Sequence, residues 1–97
     1  MYTVAFTPRA QAAINRMAAR WKTNARHPEV FLQDVRATTV RLATSPTTGV
    51  VAGRTERRTI YRVSTDKTKL HFYYRIDGAT VVVLQVWSQF RSAPPKL

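Results

Sequence analysis

The stretch KLHFYYRIDGATVVVLQVWSQFR, residues 69–91, decides the fold. Its first half alternates between two sets of side chains. One set is Leu70, Phe72, Tyr74 and Ile76, and the other is Lys69, His71, Tyr73 and Arg75. The second half, residues 79–88, is apolar on both faces, which is typical of a strand inside a sheet. Asp77 and Gly78 between them favour a two-residue hairpin turn. The stretch therefore predicts an antiparallel hairpin.

Towards the N-terminus of this hairpin, TIYRVS at residues 59–64 predicts one more strand, joined to the hairpin by a short turn. The segment VVAGRTERR, residues 50–58, predicts a loop or irregular segment with three arginines. At the start of the chain, YTVAF at residues 2–6 alternates like a half-buried strand. The sequence thus predicts four strands, three of them consecutive.

Two helices are predicted between the first and second strands. Thr7 is placed to cap the first helix, and Pro8 suits its first position. Its apolar stripe consists of Ala10, Ala13, Ile14, Met17 and Trp21. The second helix opens at Pro28 and ends at TSPTTG, residues 44–49. Its inner stripe consists of Phe31, Val35, Thr38 and Leu42, which Val40 broadens.

The order of elements is therefore β-α-α-β-β-β, an α+β fold. We expect residues 1–97 to form a single domain, in which a helical hairpin packs on one face of a small, mainly antiparallel four-stranded sheet. The first strand must join this sheet to bury its apolar face. The polar side chains of residues 69–75 then point away from the helices, towards solvent or a partner.

The charge of the chain is its most unusual property. Sixteen lysines and arginines face five acidic residues, for a formal net charge of +11. Such an excess favours binding to nucleic acid or to an acidic protein. We expect no membrane partner and a cytoplasmic location, since no apolar run approaches the ~18 residues of a membrane span and the N-terminus lacks a secretion signal. The chain has no cysteine, two histidines and scattered acids, so we expect neither a metal nor a cofactor.

The order of elements, TPRAQAAINRMAARW after the first strand, LATSPTTG at the end of the second helix and the hairpin HFYYRIDGATVVVLQVWSQFR together resemble the RelE/ParE superfamily. Its members are toxins of bacterial type II toxin–antitoxin modules. The most specific features are the pair Tyr73 and Tyr74, then Arg75, the turn, the apolar strand and Arg91. The segments YYRIDG and VLQVW are more similar to sequences of the ParE-like branch, whose members are also called plasmid stabilisation proteins.

The resemblance implies a toxin that inhibits growth and is neutralised by a cognate antitoxin. ParE-like toxins poison DNA gyrase, whereas RelE-like toxins cleave mRNA at the ribosome. Arg91 matches an arginine that follows the last strand in both branches. Ser88 stands where many relatives have a histidine, and no tyrosine or histidine follows Arg91. These departures weaken the nuclease interpretation.

Three functions remain open from the sequence: a gyrase-directed toxin, a ribosome-dependent mRNA endonuclease, and a non-toxic basic module that binds nucleic acid. No catalytic residue is assigned firmly. A nuclease would use Arg91, His71 and Arg75, because RNA cleavage needs proton transfer and cations at the phosphate. The candidate contacts to a target protein or a phosphate are Arg54, Arg57, Arg58, Lys69, Tyr73 and Arg91. Packing is favoured over base stacking for Trp87, and Trp21 is expected in the core or in an interface with a partner.

Overall fold

The structure is a computed structural model that describes residues 1–24, 26–55 and 58–90. The elements are β1 (Thr3–Phe6), α1 (Pro8–Asn24), α2 (Glu29–Thr44), a 3₁₀ turn (Pro46–Thr48), β2 (Val50–Arg54), β3 (Thr59–Ser64), β4 (Leu70–Asp77) and β5 (Thr80–Ser88). The predicted α+β class and helical hairpin are confirmed. No helix within the described ranges is long and apolar enough to cross a membrane.

The sheet has five strands in the order β1-β5-β4-β3-β2, rather than the four that were predicted. The additional strand is β2, which pairs antiparallel with β3. The prediction of a loop over residues 50–58 is therefore wrong for Val50–Arg54. A glycine at residue 53 and a register shift between Val51 and Gly53 interrupt the alternation that identifies a strand in sequence. As an edge strand, β2 also leaves Val50 and Val51 more than half exposed.

Strand β1 closes the other side of the sheet by pairing in parallel with β5, from Thr3 opposite Thr80 to Phe6 opposite Val83. Strands β3, β4 and β5 form the predicted antiparallel meander. The hairpin turn between β4 and β5 lies one residue later than predicted, because Asp77 pairs with Thr80 and the turn consists of Gly78 and Ala79. Gly78 has φ +57°, which a glycine adopts without steric cost.

The core lies between the helices and one face of the sheet. Its strand side chains include Leu70, Phe72 and Tyr74, each at most 4 % exposed, as the alternation predicted. The helices contribute the predicted stripes, with Ala10, Ala13, Ile14, Phe31, Val35, Thr38 and Leu42 buried. Val40 is the exception, since 57 % of it is exposed and it does not broaden the inner stripe.

Thr7 fixes the start of α1 against the sheet. Its hydroxyl accepts a hydrogen bond from the Ala10 backbone N–H at 3.1 Å, which is the predicted cap. The same hydroxyl donates to the Leu84 carbonyl at 3.0 Å. Leu84 is the additional residue of a bulge in β5, where the pairing shifts between Tyr73 and Tyr74. The Thr7 side chain therefore caps α1 and also provides a hydrogen-bond donor for the Leu84 carbonyl in the bulge.

Asp34 joins α2 to the turn between β3 and β4. Its Oδ2 accepts hydrogen bonds from the backbone N–H of Lys67 at 2.9 Å and from the backbone N–H and hydroxyl of Thr68 at 2.8 and 2.7 Å. Burial alone would raise the pKa of Asp34, but the bonds from Thr68, Lys67 and Asp66 outweigh it and lower the pKa below its usual value. The carboxylate therefore stays charged and holds the turn.

Tyr74 ties β4 to the segment that follows α2. Its hydroxyl donates to the Pro46 carbonyl at 2.5 Å and accepts from the Gly49 backbone N–H. A Cβ at Gly49 would overlap this hydroxyl and approach the Arg62 carbonyl at 2.8 Å, so only glycine fits there. Burial raises the pKa of Tyr74, which keeps its hydroxyl protonated as a donor.

Candidate functional site

Three of the predicted site residues, His71, Tyr73 and Arg75, lie on the sheet face opposite the helices, which we call the outer face. Cross-strand pairing arranges this face in rows, with Ser64, His71 and Trp87 in one row and Arg62, Tyr73 and Gln85 in the next. Arg75 and Val82 follow in a third row. The alternation of β4 therefore places His71, Tyr73 and Arg75 side by side, as the sequence predicted.

The outer face is not uniformly open, and the expectation that Tyr73 is exposed is wrong. Tyr73 is only 4 % exposed, as is its cross-strand neighbour Gln85. The ring of His71 meets the Tyr73 ring edge-on, with centroids 6.2 Å apart. Tyr73 therefore offers little surface to a partner in this conformation, and it acts as part of a small second layer of packing on the outer face.

The neighbours of His71 favour its neutral form. Its Nδ1 lies 2.9 Å from the Ser64 hydroxyl, which can donate to an unprotonated ring nitrogen. Burial lowers the pKa of His71, and the positive charge of Arg62 lowers it further. A neutral imidazole can accept a proton, but the nitrogen that Ser64 engages is not free to do so.

Asp77 forms ion pairs with two of the candidate arginines. Arg75 Nε donates to Asp77 Oδ2 at 2.9 Å, and Arg58 Nη1 pairs with Asp77 Oδ1. Arg58 immediately precedes β3 and Asp77 is the last residue of β4, so the antiparallel pairing of the two strands brings them to the same end of the sheet. This ion-paired cluster takes two cations away from phosphate recognition and fixes the ends of both strands.

Arg54 and Lys69 remain exposed, at opposite ends of the sheet. Arg54 pairs with Thr59 at the start of β3, and Lys69 follows the turn after Ser64 at its end. Six residues of strand separate the two ends by roughly 20 Å. The predicted contact residues therefore do not form one patch. Arg57 and Arg91 lie outside the described residues.

Lys69 has an unusual backbone, with φ +57°. This left-handed conformation is costly for a residue with a long side chain. The Lys69 carbonyl accepts a hydrogen bond from the Gln89 N–H at 2.9 Å, which ties the turn to the end of β5. The strain is therefore retained because the turn is anchored on this side by Gln89 and on the other by Asp34.

Arg62 is a site residue that sequence analysis missed. It stands opposite Tyr73 on the outer face and lowers the pKa of His71. The signal was present in TIYRVS, where the alternation that sends Tyr61 and Val63 inward sends Arg62 and Ser64 outward. The importance of that position depends on the β3–β4 register, which the sequence does not specify.

Among the described residues, the outer face provides cations and a histidine with a lowered pKa, but no ready acid–base pair. RNA cleavage would need a proton acceptor, a proton donor and cations converging on one phosphate. Here Ser64 engages His71, and Asp77 engages Arg75 and Arg58. Within the described ranges, no three histidine or carboxylate side chains come together as metal ligands.

Comparisons with known proteins agree with this fold. The chain is similar in structure to a chain of the chromosomal ParDE TA system from P. aeruginosa, with a TM-score of 0.68, 20 % sequence identity, and coverage of 91 % of this chain and 96 % of that one. No curated protein sequence matches. The family model described as the ParE toxin of the type II toxin–antitoxin system parDE matches residues 4–92. The chain therefore belongs to the ParE toxin family.

Proposed function

We propose that this chain is a single-domain cytoplasmic toxin that inhibits growth by binding DNA gyrase, and that a cognate antitoxin neutralises it. Membership of the ParE toxin family supports the toxin role. The resemblance of the chain to the ParE-like branch implies gyrase as the target. The related system from P. aeruginosa is a ParDE pair, which supports an antitoxin partner for this chain as well.

The observation that carries the proposal is the state of the outer face. Two of its cations, Arg58 and Arg75, are paired with one carboxylate, and His71 is hydrogen-bonded and has a lowered pKa. Such an arrangement stabilises a rigid surface and leaves little chemistry available. It favours a toxin that acts by binding over one that cleaves RNA.

The proposed gyrase contacts begin with the exposed cations. Arg54 lies at the end of the β2–β3 hairpin and is exposed on an edge strand. Arg57 follows Arg54 by three positions in the sequence, and Arg58 is half exposed despite its ion pair. Lys69 and Arg91 are the proposed contacts beyond the hairpin. Exposed charges at the edge of an interface mainly affect the rate of association with the partner, and they affect the stability of the toxin itself less.

Induced expression in a bacterial host tests the proposal. We expect a DNA-damage response, loss of supercoiling activity and intact mRNA ends. Arg54→Glu should reduce toxicity, whereas Arg36→Glu, the same charge reversal at an exposed position of α2, should not. Translation arrest with new mRNA ends inside codons would overturn the proposal in favour of an endonuclease. A harmless chain that binds DNA or RNA in a salt-dependent manner would instead identify a basic binding module.

A further inference from the structure

A cleft with a volume of about 220 Å³ lies where α1 passes the end of β5, and we call it the α1–β5 cleft. Its lining combines positive charge with aromatic surface, since it includes Arg16, Arg20, Trp21 and Phe90. None of these residues belongs to the gyrase contacts proposed above. Positive charge beside an aromatic ring is the combination with which proteins bind single-stranded nucleic acid.

Phe90 stands at the rim of this cleft. It is 83 % exposed, whereas every other phenylalanine, tyrosine and tryptophan that the structure describes is at least partly buried. The Phe90 backbone N–H donates to the Ser88 hydroxyl at 3.2 Å. The preceding residue, Gln89, donates through its backbone N–H to the Lys69 carbonyl at 2.9 Å and through its side-chain amide to the Leu70 carbonyl at 3.2 Å. The fold therefore holds the backbone of Phe90 in place and leaves its ring in solvent.

Two arginines of α1 border the same cleft. Arg16 and Arg20 are one helical turn apart, and both are exposed. Like charges at this spacing repel each other. Helix α1 contains no aspartate or glutamate that could compensate. The stability of the helix therefore does not account for this pair of arginines.

The acidic residues of the chain do not neutralise these two arginines. Five are present in the sequence, and Glu56 lies outside the described residues. The four that the structure describes have other partners: Glu29 meets His27, Asp66 meets Arg41, Asp77 meets Arg58 and Arg75, and Asp34 accepts hydrogen bonds from Lys67 and Thr68. The positive charge at the cleft is therefore available to an anion from outside the chain.

We propose that the α1–β5 cleft binds single-stranded DNA. Arg16 and Arg20 contact phosphates of the strand, and one base stacks on the ring of Phe90. Charge complementarity selects a polyanion, because a second copy of the chain would bring another +11 to the same arginines. The exposed ring selects a strand with unpaired bases, since the bases of a duplex are already stacked on one another.

The hydroxyl groups of the cleft favour DNA over RNA. A site that selects RNA contacts the 2′-hydroxyl of the ribose. The Thr68 hydroxyl already donates to Asp34 at 2.7 Å and lies 2.8 Å from the Thr65 hydroxyl. The Ser88 hydroxyl accepts the hydrogen bond from Phe90. Both hydroxyls that line the cleft are thus engaged within the protein, and neither is reserved for a ribose.

Fluorescence anisotropy with the full chain and a labelled oligodeoxyuridine tests the proposal, at a length of about 12 nucleotides, which lies within the usual range of single-strand sites. Arg16→Glu/Arg20→Glu should weaken binding by about 30-fold or more, because two phosphate contacts become repulsive. Phe90→Leu keeps apolar bulk but removes the aromatic face, and it should weaken binding about tenfold. Phe90→Trp should bind at least as tightly as the wild type.

The control is Lys22→Glu/Arg36→Glu, which makes the same change in net charge at exposed positions outside the cleft. It should bind within about threefold of the wild type, because salt screens distant charges. In Arg16→Glu/Arg20→Glu, the slope of log affinity against log salt should become shallower by about 1.4, since each phosphate contact on a single strand contributes about 0.7. Phe90→Leu should leave the slope unchanged, which separates stacking from charge.

Equal losses in the cleft variant and the control would overturn the inference, because binding would then follow total charge. A Phe90→Leu loss that is as large on a DNA duplex as on the single strand would exclude base stacking. Tighter binding of oligouridine, which differs only by its 2′-hydroxyls, would assign the cleft to RNA and refute the choice of DNA. The proposed function is tested separately, by gyrase activity and growth. A chain that binds oligodeoxyuridine as expected but spares gyrase would leave this inference standing.

Discussion

Replacement of Asp34 by alanine should destabilise the protein more than any exposed substitution. The carboxylate accepts three hydrogen bonds of 2.7–2.9 Å, two from backbone N–H groups and one from a hydroxyl. Hydrogen bonds to a charged group contribute about 1.5–3 kcal/mol each, but three that share one oxygen are not additive. Water can reach the half-buried Lys67 amide after the substitution, whereas the Thr68 amide is buried. We therefore expect a loss of about 3 kcal/mol in the free energy of unfolding.

Asp34→Asn isolates the contribution of the charge. The amide keeps an acceptor oxygen, so we expect a loss of about 1–2 kcal/mol at neutral pH. The folded-state pKa of Asp34 is lowered, so the advantage of the wild type is complete above the unfolded-state pKa of about 4. That advantage is lost as the pH falls through the lower folded-state value. The two proteins should therefore converge in stability in acid.

Urea unfolding at pH 7 and at about pH 3 measures both effects. Asp66→Asn is the matched control, because Asp66 lies in the same turn but its side chain is 76 % exposed and its carboxylate lies 3.5 Å from Arg41. We expect the control to unfold like the wild type. At a loss of about 4–8 °C per kcal/mol, Asp34→Ala should lower Tm by roughly 12–24 °C. An Asp34→Asn deficit that stays constant between the two pH values would refute the reasoning.

Two further substitutions test local features of the fold. Tyr74→Phe should lower the free energy of unfolding by about 2 kcal/mol, because the buried Pro46 carbonyl and the Gly49 amide lose their partner. Chemical denaturation measures this loss. The control is Tyr61→Phe, on the ring that stacks against Tyr74 with centroids 5.5 Å apart, and it should change the free energy of unfolding little. Lys69→Asn should gain about 1 kcal/mol, because asparagine adopts φ +57° more readily than lysine. Lys67→Asn in the same turn should give no such gain, and equal effects of the two would exclude backbone strain as the cause.

The predictable part of this fold was the part governed by local alternation. In β4, the alternation placed Phe72 and Tyr74 in the core, and the structure confirms both. The helical stripes were equally clear, because burial of one face imposes a period on the sequence. Strand β2 was not predicted, because its residues are largely exposed, include a glycine and pass through a bulge. Edge strands carry the weakest pattern, since only one neighbour shapes them.

The less predictable part of the site depends on contacts between distant segments. Asp34 looked like one polar residue on a helix, and its partners lie more than thirty positions later in the chain. Tyr73 points outward by alternation, yet it is buried by the side chains around it. The pairing of Arg58 with Asp77 requires the register of β3 against β4. None of these follows from spacing along the sequence.

The parallel pairing of β1 with β5 has a consequence for the synthesis of this toxin. Among the described strands, the one made first pairs with no strand but the one made last, so residues 3–6 have no place in the sheet until residues 80–88 have left the ribosome. Local hairpins form quickly, whereas a contact across about 77 positions must first overcome the entropy of closing that loop. A translation product that stops before β5 lacks the strand against which both β1 and α1 pack. We therefore expect the product of interrupted synthesis to remain unfolded, because β1 and α1 would both lack the strand against which they pack.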